Sequence, residues 1–184
     1  MIKRFVEIGS ADFNTCLPLA QAGWHGLCVE PVPYLYERVK KQYEGHKVHV
    51  QNNAVSDING PLEMAVSRDH GWLTGCSHVV SKNHIGYRLS EHPDRESDFP
   101  EVITVQAVTL DHLLSKTPDD QQIDFLKVDT EGHELNIFMD YSFRIKPRFI
   151  KIEHKHVDDI LLAKKLEENG YLVWVENDDI YGLI

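Results

Sequence analysis

Short apolar runs alternate with polar, helix-spaced stretches over the first third of the chain. Phe5-Val6-Glu7-Ile8-Gly9 has the length and composition of a strand that stops at a glycine turn. A helix is predicted over 14–22, with Ser10 or Asp12 as its cap and Gly23 beyond its end. Proline fits a helix only in its first turn, so Pro18 moves the start toward Thr15 or Leu17. Gly26-Leu27-Cys28-Val29-Glu30 reads as a second strand, closed by Pro31 and Pro33. Leu35, Val39 and Tyr43 recur at helical spacing and predict a helix over 34–43, and a third strand follows over 47–51. A regular strand–helix beat is the mark of a parallel sheet with right-handed crossovers.

The beat breaks after Ser56. Asn59-Gly60-Pro61 marks a turn between two short strand-like pieces, 54–56 and 62–66. From 68 to 100 the chain is polar and without a clean period, which predicts an irregular insert. Trp72, Leu73 and Tyr87 give it apolar anchors and suggest a partly ordered lid. The pattern then resumes. Residues 102–108 alternate and predict a strand, placed at a sheet edge, and Thr109 caps a short helix to 114. Residues 123–128 form a fourth main strand, followed by a helix over 134–139 and a fifth strand over 147–154. Asp158 or Asp159 caps an amphipathic helix ending at Gly170, and 171–175 with 180–184 close as an edge hairpin.

With 184 residues, 42% hydrophobic and 26% charged, the chain is expected to form a single soluble domain over 1–184 with a proper core. A net charge of −10 speaks against a sequence-independent grip on nucleic acid. Cys16, Cys28 and Cys76 have no metal-ligand spacing and leave one unpaired, which fits a reducing compartment. Neither a secretory signal nor a membrane-spanning run is evident, so a cytoplasmic protein without a membrane partner is expected.

Candidate chemistry lies at the strand ends. Gly9 lets a ligand approach the backbone where a helix begins, and Glu30 ends strand two, where doubly wound folds place a carboxylate for ribose hydroxyls. The first turn holds only Gly9 of the G-x-G-x-x-G that a pyrophosphate needs. A cofactor with ribose but no phosphate, such as S-adenosylmethionine, fits better, and Glu7 suits an ammonium group. A strand–glycine–helix unit alone is weak evidence. Plausible ligand groups at three successive strand ends, including Asn53 and Ala54, make it stronger. Strand four delivers Asp129, Glu131 and Glu134 around Gly132 just before a helix, which suits a cofactor contact, a metal site or a helix cap. Lys127, inside a buried strand, is expected to snorkel or to pair with an acid such as Glu153.

The pieces Glu7-Ile8-Gly9, Val29-Glu30-Pro31-Val32-Pro33, Asn53-Ala54-Val55-Ser56-Asp57, Thr109-Leu110-Asp111, 125–134 and Ile150-Lys151-Ile152-Glu153 occur in an order that resembles the FkbM family of methyltransferases. The most specific element is Lys127-Val128-Asp129-Thr130-Glu131-Gly132-His133-Glu134. The resemblance implies a class I methyltransferase fold, an α/β Rossmann-like doubly wound sheet of seven mainly parallel strands with the last antiparallel. It implies S-adenosyl-L-methionine as cofactor and O-methyl transfer as the reaction. This chain departs from the pattern in carrying Glu7 where the family usually has Asp, and in lacking a second glycine near Phe13.

On this reading Glu7, Gly9, Ser10, Glu30, Pro31, Asn53, Ala54 and Asp129 are the cofactor-binding candidates. Glu131, Glu134 and Glu153 are assigned to the acceptor side. His154, His133 and Asp129 are the catalytic candidates, the histidines because their ordinary pKa suits proton removal. A divalent ion on Asp129, Glu131 and His154 ranks below a metal-free mechanism. The expected partner is a small-molecule or glycan acceptor carrying a hydroxyl; oligomeric state is open. Two rival readings are a nicotinamide-dependent oxidoreductase on a similar sheet and a non-catalytic nucleoside-binding module.

Overall fold

A computed structural model describes residues 2–11, 13, 15–67, 75–80, 99, 101–115 and 122–184. Its first half runs β1 (Arg4–Ile8), α1 (Leu17–Gln21), β2 (His25–Val29), α2 (Pro33–Gln42), β3 (Val48–Gln51), β4 (Ala54–Ser56), β5 (Gly60–Val66) and β6 (His78–Val79). The second half runs β7 (Glu101–Thr109), α3 (Leu110–Ser115), β8 (Phe125–Val128), α4 (Glu134–Asp140), β9 (Phe149–Glu153), α5 (Asp159–Glu168), β10 (Leu172–Glu176) and β11 (Asp179–Leu183).

The main sheet has seven strands in the order β10-β11-β9-β8-β1-β2-β3. Neighbours from β3 through β9 pair in parallel, while β11 pairs antiparallel with both β9 and β10. The last strand of the chain is therefore the reversed one, as expected, and it lies inside the edge strand β10. Alternation along each strand divides the core between the two faces. Val6, Ile8, Leu126, Val128, Ile150 and Ile152 pack toward α3, α4 and α5, with Leu114, Phe138 and Leu166 among their partners. Phe5 and Cys28 pack toward α1 and α2, against Cys16, Ala20, Val39 and Tyr43. Helices on both faces make the sheet doubly wound. β1 is flanked by β2 on one side and β8 on the other, so chain direction across the sheet switches there, and a crevice opens at the carboxyl ends of these strands.

The break in the strand–helix beat corresponds to a second sheet in the order β4-β7-β5-β6. β7 is not at an edge as its alternation suggested; it pairs with β4 on one side and along its length with β5 on the other. Alternation reports one buried face, here Val105 and Ala107 against an exposed Val102, and carries no information about lateral neighbours. This sheet packs its buried side, including Met64, Val66 and Val79, against Val32 and Leu35 at the start of α2.

Capping follows the sequence at two helices and departs from it at one. Asp158 Oδ1 accepts the Leu161 N–H at 2.9 Å at the start of α5, and Thr109 Oγ1 accepts the His112 N–H at 3.2 Å at α3. α1 starts late, at Leu17 with proline in its first turn; its cap position is Cys16, not Ser10, and Asp12 lies outside the described residues. Of the expected insert, 75–80 and 99 are described and supply β6, which pairs with β5. The remainder, with Trp72, Leu73 and Tyr87 and the lid expected there, lies outside the described residues. All three cysteines are buried free thiols. No helix among the described residues is long and apolar enough to cross a membrane.

Candidate active site at the switch point of the sheet

The turn after β1 is pressed against the end of β8. Gly9 has φ +72°, and a Cβ at that position would lie 1.7 Å from the Asp129 carbonyl oxygen. Only glycine satisfies both the left-handed backbone and the close approach. Two residues on, Ala11 also turns left-handed at φ 42°. Its N–H donates to Glu30 Oε2 at 2.8 Å, while Glu30 Oε1 accepts the Val32 N–H at 2.9 Å. The buried Glu30 carboxylate thus ties the β1 turn to the start of α2. Asn52 Nδ2 donates to the carbonyls of Glu30 and Pro31, both at 2.9 Å, and fixes the turn after β2.

These turns enclose a cleft with about 610 Å³ of empty space, its open mouth included. One wall is apolar and joins the two sheets: Val32 and Leu35 from α2 face Met64 and Val79 from β5 and β6. The opposite end is polar and is formed by Asp129, Thr130, Glu131 and His133. Of the residues singled out in the sequence, Gly9, Glu30, Pro31, Asn53, Ala54, Asp129, Glu131 and His133 line this cleft together. Glu7, Ser10, Glu134, Glu153 and His154 do not line it.

Glu7 points to the other face of the sheet, because Val6 and Ile8 take the α3–α5 side. Its Oε2 accepts from Tyr43 Oη at 3.1 Å and lies 3.6 Å from Cys28 Sγ, with 1% of the residue exposed. Lys127 is its partner across the β1–β8 register, with Nζ 3.9 Å from Glu7 Oε1. The same ammonium lies 3.2 Å from Asp129 Oδ2 and donates to the Gly9 carbonyl at 3.3 Å. Burial disfavours the Lys127 charge, but Asp129 and Glu7 more than offset this and hold its pKa above the ordinary lysine value. The expected pairing of Lys127 with Glu153 is corrected here: parallel register sets Lys127 opposite Glu7 and Lys151, not Glu153. Ser10 is buried beside the turn rather than in the cleft.

Glu134, expected on the acceptor side, is turned inward. Its Oε1 accepts the Thr130 N–H at 2.5 Å and the Thr130 hydroxyl at 2.8 Å, and its Oε2 accepts the Gly132 N–H at 3.0 Å. It clamps the loop that carries Asp129 and Glu131. Burial raises its pKa to about 7, even against the lowering effect of those hydrogen bonds. His154 lies past β9 against the β10–β11 turn, where its Nε2 is 3.2 Å from the Asn177 carbonyl.

Acids crowd the polar end. Burial, reinforced by Asp129 and Glu134, raises the Glu131 carboxyl to about 8, and burial reinforced by Asp129 and Glu131 raises Glu153 to about 8. Ligand atoms of Glu131, Glu153 and His156 all lie within 4.8 Å of one another, as do those of Asp129, Glu134 and Glu153. His154 is in neither group, so the trio of Asp129, Glu131 and His154 considered from sequence is not assembled.

The cleft suits a nucleoside carrying a positively charged sulfur. Its apolar wall is of the kind that suits a base, the Glu30 oxygens keep lone pairs able to accept from hydroxyls, and Asp129 brings a carboxyl group to the polar end. Ser77 lines the cleft, and its buried Oγ has no hydrogen-bond partner among the described residues. The phosphate-cradling glycines are absent. A doubly wound sheet of this order, with its ligand groups at the switch point, defines the class I methyltransferase architecture.

The chain belongs to the FkbM methyltransferase family: the family model described as "Methyltransferase FkbM domain" matches residues 5–173. It is an S-adenosylmethionine-dependent methyltransferase, which displaces the oxidoreductase reading. No curated protein sequence matches it. Solved structures similar to it include ribosomal protein L11 methylase from Lactobacillus delbrueckii subsp. bulgaricus, at 9% identity over 99% of this chain and 69% of that one, TM-score 0.48. Another is the N-terminal domain of human METTL16 in complex with SAH, at 13% identity over 99% of this chain and 60% of that one, TM-score 0.43. A third is the fibrillarin/Nop5p complex, at 9% identity over 98% of this chain and 70% of that one, TM-score 0.46.

Sequence reasoning missed the second-sheet wall formed by Met64, Ser77 and Val79, because nothing in a short alternating strand says which distant helix it will face. Ser56 and Asp57, part of the 53–57 motif, pack against His133.

Proposed function

We propose that the chain transfers a methyl group to a hydroxyl oxygen of a sugar, glycan or small natural product, with His133 as the general base. The observation that supports this most is the position of His133, which is among the residues lining the cleft with Asp129 and Glu131. His154 is held instead against the Asn177 carbonyl. S-adenosylmethionine, when bound, supplies an electrophilic methyl group, so that attack by the acceptor oxygen forms an O–C bond as the S–C bond breaks and sulfur keeps the electron pair. Gly9, Glu30, Pro31, Asn53 and Ala54 hold the nucleoside, and Asp129 faces the cationic end. His133 takes the hydroxyl proton, and Glu131 orients the acceptor. Glu153 stands behind Glu131 on the acceptor side.

The net charge of −10 supports a neutral acceptor over nucleic acid, and three free cysteines support a reducing, cytoplasmic setting. Residues 1–184 act as one domain in this reading, with the small sheet as a wall of the cleft. The test is incubation with methyl-labelled S-adenosylmethionine and a panel of hydroxyl-bearing acceptors, followed by mass spectrometry. Label on an acceptor oxygen is expected. Label confined to nitrogen or carbon overturns the reading.

A further inference from the structure

The end of β4 packs against the loop between β8 and α4 and places a polar chain behind the cleft. Ser56 Oγ lies 2.9 Å from His133 Nε2 and donates to Asp57 Oδ1 at 2.9 Å. Asn136 Nδ2 donates to Asp57 Oδ2 at 3.3 Å. Ser56 and His133 are buried, at 1% and 4% exposure, whereas the Asp57 side chain is 42% exposed. His133 Nε2 is 3.9 Å from Asp57 Oδ1, too far for a direct hydrogen bond, so Ser56 is the link.

The hydrogens in this chain have a definite order. A carboxylate is ionised at neutral pH and only accepts. For Asp57 burial works against the charge, but hydrogen bonds from Ser56 and Asn136 outweigh it and hold the carboxyl below the usual range. The single hydroxyl hydrogen of Ser56 is therefore committed to Asp57. What Ser56 presents to His133 is a lone pair, so the 2.9 Å contact is a hydrogen bond only if Nε2 carries the hydrogen. A neutral imidazole has one N–H, which leaves Nδ1 as the basic nitrogen.

We propose that Ser56 and Asp57 are positioning residues that fix His133 as the Nε2–H tautomer, so that Nδ1 receives the acceptor's proton. This rests on the reading of His133 as the base. When the hydroxyl proton moves to Nδ1, the ring becomes an imidazolium, and the ionised Asp57 stabilises it through Ser56. The proton then leaves Nδ1 for water after the methylated product departs.

An Asp57→Asn substitution has a particular consequence. With Asn136 Nδ2 still donating to position 57, the new amide turns its oxygen to Asn136 and its NH₂ to Ser56. The Ser56 hydroxyl then points its hydrogen at Nε2, and the hydrogen of His133 moves to Nδ1, the wrong nitrogen for a base. The experiment is two-dimensional ¹H–¹⁵N NMR on protein with ¹⁵N-labelled histidine, which distinguishes protonated from unprotonated ring nitrogens without substrate.

For neutral His133 in the parent, a protonated Nε2 and an unprotonated Nδ1 are expected. Asp57→Asn should reverse them, Ser56→Ala should weaken the preference for Nε2–H, and Ser56→Thr, which keeps the hydroxyl, should retain the parent pattern. Once an acceptor is in hand, Asp57→Asn should lower kcat by about tenfold or more while leaving KM for S-adenosylmethionine in place. A parent His133 protonated at Nδ1, or an Asp57→Asn protein with the parent pattern, overturns the proposal. A parent spectrum as expected together with an unimpaired His133→Ala enzyme would instead refute His133 as the base while leaving the tautomer assignment intact.

Discussion

Lys127 Nζ sits 3.2 Å from Asp129 Oδ2, so the acid that follows β8 is anchored by a cation two residues earlier in the chain. The lysine side chain is 5% exposed and also faces Glu7, which is buried on the other side of the turn. Removing the ammonium leaves a buried carboxylate without its countercharge, the costly half of a broken buried pair. Lys127→Met is expected to lower stability by about 3–5 kcal/mol, with Tm falling by roughly 10 °C. Urea denaturation measures it, and an unchanged midpoint contradicts this role.

Gly9→Ala tests the contact between the β1 turn and β8. The left-handed backbone alone costs about 1–3 kcal/mol for a residue with a side chain. The new methyl would also meet the Asp129 carbonyl, so the two turns must part and the cleft must change shape. Thermal stabilisation by S-adenosylhomocysteine should be lost in this variant, to a greater degree than its own loss of stability explains.

The acid cluster gives a pH dependence with a definite sign. Glu131 and Glu153 have carboxyls raised to about 8 in the folded protein, against an ordinary value near 4.5. Below pH 4.5 both states hold these protons and the groups cost nothing. Between about 4.5 and 8 the unfolded chain releases them and the folded protein does not, so stability falls as pH rises; above about 8 the full penalty is present. Tm should therefore decline across neutral pH, and Glu153→Gln should flatten that decline. A Tm that rises from pH 6 to 8 in the parent and is insensitive to Glu153→Gln contradicts the crowding.

Histidine roles separate kinetically. His133→Ala should reduce kcat by about 10²–10⁴, the usual contribution of a general base. His154→Ala, which only releases a contact to the Asn177 carbonyl, should leave kcat within about twofold. Equal losses in both would remove the distinction drawn from their positions.

Much of this architecture was legible in the chain, for a physical reason. Buried parallel strands such as Phe125-Leu126-Lys127-Val128 read as short apolar runs, and Gly9 and Pro33 mark turns that few other residues satisfy. Side-chain direction was harder. Glu7 lies within the strand, where one step of alternation decides between the α1–α2 face and the α3–α5 face. The resemblance assigned Glu134 to the acceptor side, yet its two oxygens are taken by Thr130 and Gly132. Ser56 and His133 are 77 residues apart, and no local pattern announces such a contact. The second sheet was hidden for the same reason, since β5 and β7 meet across the irregular insert.

Calorimetric titration of S-adenosylhomocysteine into the parent and Glu30→Ala proteins tests most directly whether the cleft at the switch point holds the cofactor. Glu30 is the buried acid that ties the first turn to α2 and lines the cleft, and a lost charge-assisted hydrogen bond is worth about 1.5–3 kcal/mol. The parent should bind, and Glu30→Ala, checked for folding by circular dichroism, should bind about 10–100-fold more weakly. Glu30→Gln, which keeps one oxygen acceptor, should fall between them. A folded Glu30→Ala protein with the parent Kd would contradict the account.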